Sequence, residues 1–108
     1  MSAPFYPLAI QLELPECYRE DAQFAGRLRL LRQQGFTGVE LNVLRPELLP
    51  ASELAAFLAE HGLRMTMFAS GAAAKAAGLS LSAQDPEVHR RSVEACLGFI
   101  DFAAAMQA

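Results

Sequence analysis

Two polar side chains, Glu40 and Asn42, interrupt the apolar run GVELNVL at a spacing of two residues. In an extended strand successive side chains point to opposite faces, so this spacing sends Glu40 and Asn42 to one side and Val39, Leu41 and Val43 to the other. A carboxylate and a carboxamide on one face can between them accept and donate hydrogen bonds to the hydroxyls and carbonyls of a small polar ligand. The run Leu8 to Leu14 repeats the pattern, with Leu8, Ile10, Leu12 and Leu14 on one face and Ala9, Gln11 and Glu13 on the other. Gln11 therefore joins Glu40 and Asn42 as a candidate substrate-binding residue. A third run, LRMTMFAS at 63–70, offers Thr66, Phe68 and Ser70 at the matching phase. A structural reading of Glu40 stays open beside this one, in which it pairs with an arginine of a neighbouring strand, as buried carboxylates often do.

The remaining reactive side chains form no such set. Glu13, Glu40 and the two histidines have no recognisable metal-ligand spacing. His61 falls in the last turn of a helix, where an imidazole meets free carbonyls and acts as a cap. His89 stands beside Arg90 and Arg91 on what reads as a solvated helix face. Lys75, the one lysine, lies in an alanine-rich stretch and is either a mobile loop residue or a contact for an anionic group. Cys17 and Cys96 stand apart from any C-x-x-C or zinc-type pattern and read as two reduced thiols.

The apolar spacing alternates between period two and period 3.6, which predicts the order βαβαβα. The first strand covers about Leu8 to Leu14 and ends at Pro15. The first helix follows from about Arg19 to Gln34, carrying Phe24, Leu28 and Leu31 inward, with Gly35 as its left-handed cap. The second strand covers about Gly38 to Leu44. The second helix begins after Pro50, turns Leu54, Phe57 and Leu58 inward and stops at Gly62. The third strand is 63–70, and the third helix opens at Asp85 and Pro86, an N-cap followed by a first-turn proline. Between them, 70–84 is a longer connection than the usual two to six residues or so.

A chain of 108 residues that is 53% hydrophobic and 19% charged suits one domain. Its formal charge of -3 gives no footprint for nucleic acid or an anionic membrane surface. The N-terminal stretch MSAPFYPLAIQLELPE lacks the basic flank of a secretory signal, and no apolar run reaches membrane-spanning length, so a cytoplasmic protein is expected. The strand faces narrow the α/β class further. Doubly wound sheets bury both faces and have nearly continuous apolar strands. Here each strand is apolar on one side and mixed polar on the other, which fits a (β/α)8 barrel whose inner face opens onto a ligand.

The ordered motifs GFTGVEL at Gly35 to Leu41, HGL at His61 to Leu63 and DPEVHRRSVE at Asp85 to Glu94 resemble the N-terminal part of the sugar phosphate isomerase/epimerase family. These are xylose-isomerase-like TIM barrels, and the same superfamily includes endonuclease IV-type repair enzymes. The resemblance spans nearly the whole chain and implies three βα units of a (β/α)8 fold, ending before strand four; Gln107 stands where the family often has a glycine. It further implies a glutamate next to the substrate pocket at the position of Glu40, and proton transfer on a small sugar or hydroxy-keto compound. The family's divalent metal, Mn, Mg, Co or Zn, is held by residues of later strands, so no metal site and no catalytic residue is expected in this segment. A non-catalytic assembly unit is the alternative, and a repair-enzyme segment a less favoured one.

The third helix adds a partner expectation. At about 100° per residue, Val93, Cys96, Leu97, Ile100 and Ala104 make one apolar stripe, and Ala95, Phe99, Phe102 and Met106 make another. The first is expected to pack on the sheet. The second, through Phe99, Phe102 and Met106, is expected to mediate self-association or docking unless the long loop or the N-terminal MSAPFYP segment covers it.

Overall fold

The computed structural model describes residues 6–108. Three parallel strands, β1 (Ala9–Glu13), β2 (Gly38–Asn42) and β3 (Arg64–Ala69), form one sheet in the order β1-β2-β3. Each pair is joined through a helix, as parallel strands require. Helix α1 (Ala22–Gln33) links β1 to β2, and α2 (Ala51–Glu60) links β2 to β3. A short helix, α3 (Gly71–Ala76), and a long one, α4 (Pro86–Ala105), follow β3. The architecture is an α/β array of βα units, one sheet with one helix layer.

Local chemistry sets the helix ends. The first helix begins at Ala22 rather than Arg19, because Tyr18–Glu20 form a 3-10 turn and the Asp21 carboxylate accepts the Phe24 N–H at 2.9 Å. Gly35 follows α1 at φ +92° and Gly62 follows α2 at φ +71°, the left-handed conformation that glycine adopts without a Cβ penalty. The Nδ1 of His61 lies 3.0 Å from the Phe57 carbonyl, so this imidazole closes the last turn of α2. Asp85 accepts the N–H groups of Glu87 and Val88 at 2.8 and 3.4 Å and starts α4, with Pro86 at its first position. Gln107, past the end of α4, adopts φ +58° without being glycine, and its carbonyl accepts a 3.1 Å hydrogen bond from Arg64 Nη2.

The core lies between the sheet and the helix layer. Val39, Leu41 and Val43 are buried against Phe24 and Leu28 of α1 and Leu54, Phe57 and Leu58 of α2. The Phe24 and Phe57 rings stack at 6.3 Å, and Tyr18 meets Phe57 edge-on at 5.0 Å. Burying a leucine or phenylalanine of this kind contributes about 1.5–3 kcal/mol.

Three sequence expectations are corrected. The stretch 70–84 is not all loop, since its alanines build α3. In β3 the alternation breaks: Val39 pairs with Met65 and Glu40 with Met67, so Thr66 is the extra residue of a bulge. Beyond it the faces exchange, and Phe68 pairs with Leu41 on the helix side instead of joining the polar face. That shift reverses the two faces of α4 as well. Phe68 meets Phe99 at 5.2 Å and Phe102 at 5.5 Å, and Phe102 and Met106 are buried in the core. Aromatic rings bury the most area and win the sheet-facing side. Phe99, Phe102 and Met106 therefore do not form the exposed self-association patch; Val93, Leu97 and Ile100 are the exposed ones.

Candidate functional site

The face of the sheet away from the helices carries no covering element among the described residues, and its side chains form three rows across the strands. Parallel pairing aligns Ala9 with Gly38, Gln11 with Glu40 and Glu13 with Asn42. On the other side of β2, Glu40 is opposite Met67 and Asn42 opposite Ala69. The first row is small and tightly packed. A Cβ placed on Gly38 would overlap Thr66 Cγ2 and would sit 3.5 Å from the Ala9 Cβ, so only glycine fits between these neighbours. Thr66 is held there by its hydroxyl, which donates to the Val39 carbonyl at 3.3 Å.

Polarity rises toward the carboxyl ends of the strands. Glu40 and Asn42 are half-buried, while Gln11 and Glu13 are exposed on the edge strand. The Glu40 side chain has no hydrogen bond or ion pair among the described residues, and neither do the side chains of Gln11 and Glu13. The arginine of the adjacent strand, Arg64, turns to Gln107 instead. Asn42 is engaged: its Oδ1 accepts the Ala72 N–H at 3.2 Å. This bond ties the end of β2 to the first turn of α3, so Asn42 positions α3 with its oxygen and keeps its amide nitrogen for other use. The arrangement offers a ligand two carboxylates, half-buried Glu40 and exposed Glu13, and two carboxamides, Gln11 and Asn42.

Other reactive side chains lie elsewhere. His61 serves the end of α2, and the Nδ1 of His89 lies 3.1 Å from the Leu81 carbonyl, fixing the segment before α4. Lys75 is exposed on α3, Cys17 is exposed and Cys96 half-buried, both as free thiols. Among the described residues no three His, Cys, Asp or Glu side chains converge on a point that could hold a metal ion. No described helix is long and apolar enough to cross a membrane.

Sequence reasoning missed a second concavity. A cavity of about 600 Å³ lies on the helix side, between the segment after β2, α3 and α4, with Arg45, Glu47, Arg91 and Glu94 at its rim and alanines in its wall. Two of its four rim charges are paired at the surface, Arg45 with Glu16 at 3.7 Å and Glu94 with Arg90 at 2.6 Å, while Glu47 and Arg91 have no ion pair among the described residues. Arg90 also binds Glu87, whose hydrogen bond holds that carboxyl below the usual range and raises the guanidinium. The sites differ in how their groups are held: the sheet face sets carboxylates and carboxamides in register on paired strands, whereas the cavity carries exposed charges, half of them in ion pairs, around alanines. No family model matches the chain, and no curated protein matches it.

Proposed function

We propose that these βα units are the N-terminal part of a (β/α)8-type, sugar phosphate isomerase/epimerase-like protein, cytoplasmic in location. In this reading the open sheet face forms one wall of the pocket for a small sugar or hydroxy-keto compound. The observation that carries it is the half-buried Glu40 side chain, unpaired and in register with Gln11 at mid-strand, one row before Asn42 at the carboxyl end of β2. Ligands of βα arrays bind at that end. The motif resemblance set out above supports the reaction class.

Glu40 accepts from substrate hydroxyls, and the Gln11 and Asn42 carboxamides donate to hydroxyl or carbonyl oxygens. The divalent metal of the resembled family does not fit this set of residues, because no ligand cluster exists among those described. Its ligands, and the acid and base for proton transfer, belong to other strands in this reading. The 108-residue chain is accordingly expected to show no isomerase turnover with added Mn²⁺, Mg²⁺, Co²⁺ or Zn²⁺.

Amide NMR titration with ketoses, aldoses and their phosphates tests the reading. Saturable shifts at Gln11, Glu40 and Asn42, lost in Glu40→Ala, are the expected result. Binding that perturbs the Arg45 and Arg91 cavity instead, or no response at the three positions to any of these compounds, overturns it. The net charge of -3 gives the nucleic-acid alternative no support.

A further inference from the structure

The helix-side cavity beside α3 and α4 carries two opposite charges that stay out of ion pairs among the described residues, and the pairing around them explains why. On α4, Arg91 has Glu87 four residues before it and Glu94 three residues after it, the spacings at which helical side chains meet. Arg90 takes both of these carboxylates. The Arg91 guanidinium is thereby left for the cavity it lines. A carboxylate is left over in the same way on another wall, in the 3-10 turn Pro46–Leu48. Arg45, two residues before Glu47, pairs with Glu16 at 3.7 Å, and Glu47 keeps its charge free. Glu47 and Arg91 line one cavity of about 600 Å³ without pairing with each other.

The wall near these charges is apolar and built from small residues. Leu44, Ala73, Ala76, Leu79 and Phe99 contribute to it, and the alanines of α3 leave room that larger side chains would fill. Hydrogen bonds fix the walls in place. Asn42 Oδ1 accepts the Ala72 N–H at 3.2 Å and ties α3 to the end of β2. Ser92, 1% exposed on α4, accepts the Ser80 N–H at 2.8 Å and holds the segment that carries Leu79. All lining residues fall between Leu44 and Phe99, so the cavity is built by consecutive internal segments and does not depend on the sheet margins.

We propose that this cavity binds a zwitterion with an aliphatic body, an amino acid or dipeptide of the leucine kind. Its carboxylate accepts hydrogen bonds from Arg91, whose planar guanidinium matches a carboxylate with two parallel donors. Its ammonium donates to Glu47, and its aliphatic side chain lies on the alanines and Leu79. Other ligand classes fit less well. A simple anion faces the like charges of Glu47 and Glu94, and a simple cation those of Arg45 and Arg91. A neutral apolar molecule strips water from both free charges and gives them no partner. A cavity of this volume lies within the range of small-molecule sites, about 300–1,000 Å³. Gln11 and Glu40 take no part in it, so the inference stands apart from the sugar reading of the sheet face.

Amide NMR titration with leucine and leucyl-leucine tests the proposal. Saturable shifts at Ala73, Ala76, Leu79 and Arg91 are expected from at least one of them, and the tighter binder identifies amino acid or dipeptide as the source. Blocking either terminus is expected to weaken binding several-fold, because the N-acetyl form loses Glu47 and the C-terminal amide loses Arg91. Variants carry the same signature crosswise. Glu47→Gln is expected to weaken the zwitterion without weakening the N-acetyl form, and Arg91→Gln to weaken the zwitterion without weakening the amide. Both positions are exposed, so the unfolding midpoint should stay unchanged. No saturable shift with either compound overturns the proposal. So does an N-acetyl form that binds as tightly as the zwitterion, the signature of an anion site, and so do variants that weaken all ligands alike. Sugars are read out at Gln11 and Glu40 and zwitterions at the cavity, so the two readings fail separately.

Discussion

Helices α2 and α4 both follow a strand and both are rich in apolar residues, yet they end in different environments. The inner residues of α2, Leu54, Phe57 and Leu58, are buried, with α1 and α4 on its flanks. In α4 only Ser92 and Phe102 are buried along twenty residues, and a full apolar flank stays outside. Composition does not separate the two. Position does: a helix over the centre of the sheet finds neighbours on both sides, whereas one at the margin finds them on one. Exposed apolar area therefore marks where the array is open.

The largest expected effect tests that contrast directly. Leu58→Ala should destabilise the chain by about 2–5 kcal/mol, the range for emptying a packed core site. Leu97→Ala, the same change at the margin, should stay within about 0.5 kcal/mol. Urea unfolding measures both, and similar losses would erase the distinction between centre and margin.

A smaller effect is expected within the sheet. Gly38→Ala should cost about 1–3 kcal/mol, typical of overpacking, because the new methyl meets Thr66 Cγ2. Thr66→Ser removes that methyl and keeps the hydroxyl, so Gly38→Ala/Thr66→Ser should recover most of the loss. A double-mutant cycle showing no coupling would mean that the crowding lies with the Arg64 backbone, 3.3 Å away.

Ser92 sharpens the picture of how α4 is anchored. Its Oγ donates to the Val88 carbonyl at 2.7 Å and accepts the Ser80 N–H at 2.8 Å. Ser92→Ala leaves that N–H without its acceptor and should cost about 1 kcal/mol, with faster amide exchange at Ser80. Unchanged exchange would show that the segment before α4 is held by His89 alone.

The smallest effect is electrostatic. Arg90 depresses the Glu87 carboxyl, so this pair stabilises the start of α4 above the ordinary carboxylate range, and the contribution disappears as pH falls through the depressed value. The pair is fully exposed and salt-screened, so the change should be small and should vanish at high ionic strength. Carboxyl ¹³C shifts of Glu87 against pH measure it; a midpoint at or above that of an unpaired glutamate would contradict the pairing.

Period-two alternation made the two faces of β2 legible, because Val39, Leu41 and Val43 need burial and Glu40 and Asn42 do not. The caps at Asp85, Gly35 and Gly62 were legible for a similar reason: each is a local requirement of one helix end. The reversal of α4 was not. It depends on the bulge at Thr66, and nothing in LRMTMFAS distinguishes an unbroken alternation from one with an inserted residue. Once Phe68 changes face, the aromatic stripe of α4 follows it. The Asn42 bond to Ala72 was equally hidden, since it needs α3 to form within a stretch that reads as loop. Single-residue periodicity carries information along an element but none about which element it meets.

Gly38 has one more consequence, in the order of assembly. It pairs with Ala9 on one side and Arg64 on the other, so a single residue closes two chain loops of nearly equal length. Loop-closure entropy grows only with the logarithm of length, which leaves the two closures almost isoenergetic and gives neither strand pair a head start. The helices break the tie. Helix α1 carries a side-chain cap at Asp21, whereas α2 starts at Pro50 with none, so the β1-α1-β2 half is the one whose helix is prepared before its strands meet. Folding should therefore run from the N-terminal half toward β3, leaving the cavity between α3 and α4 as the last surface to take shape.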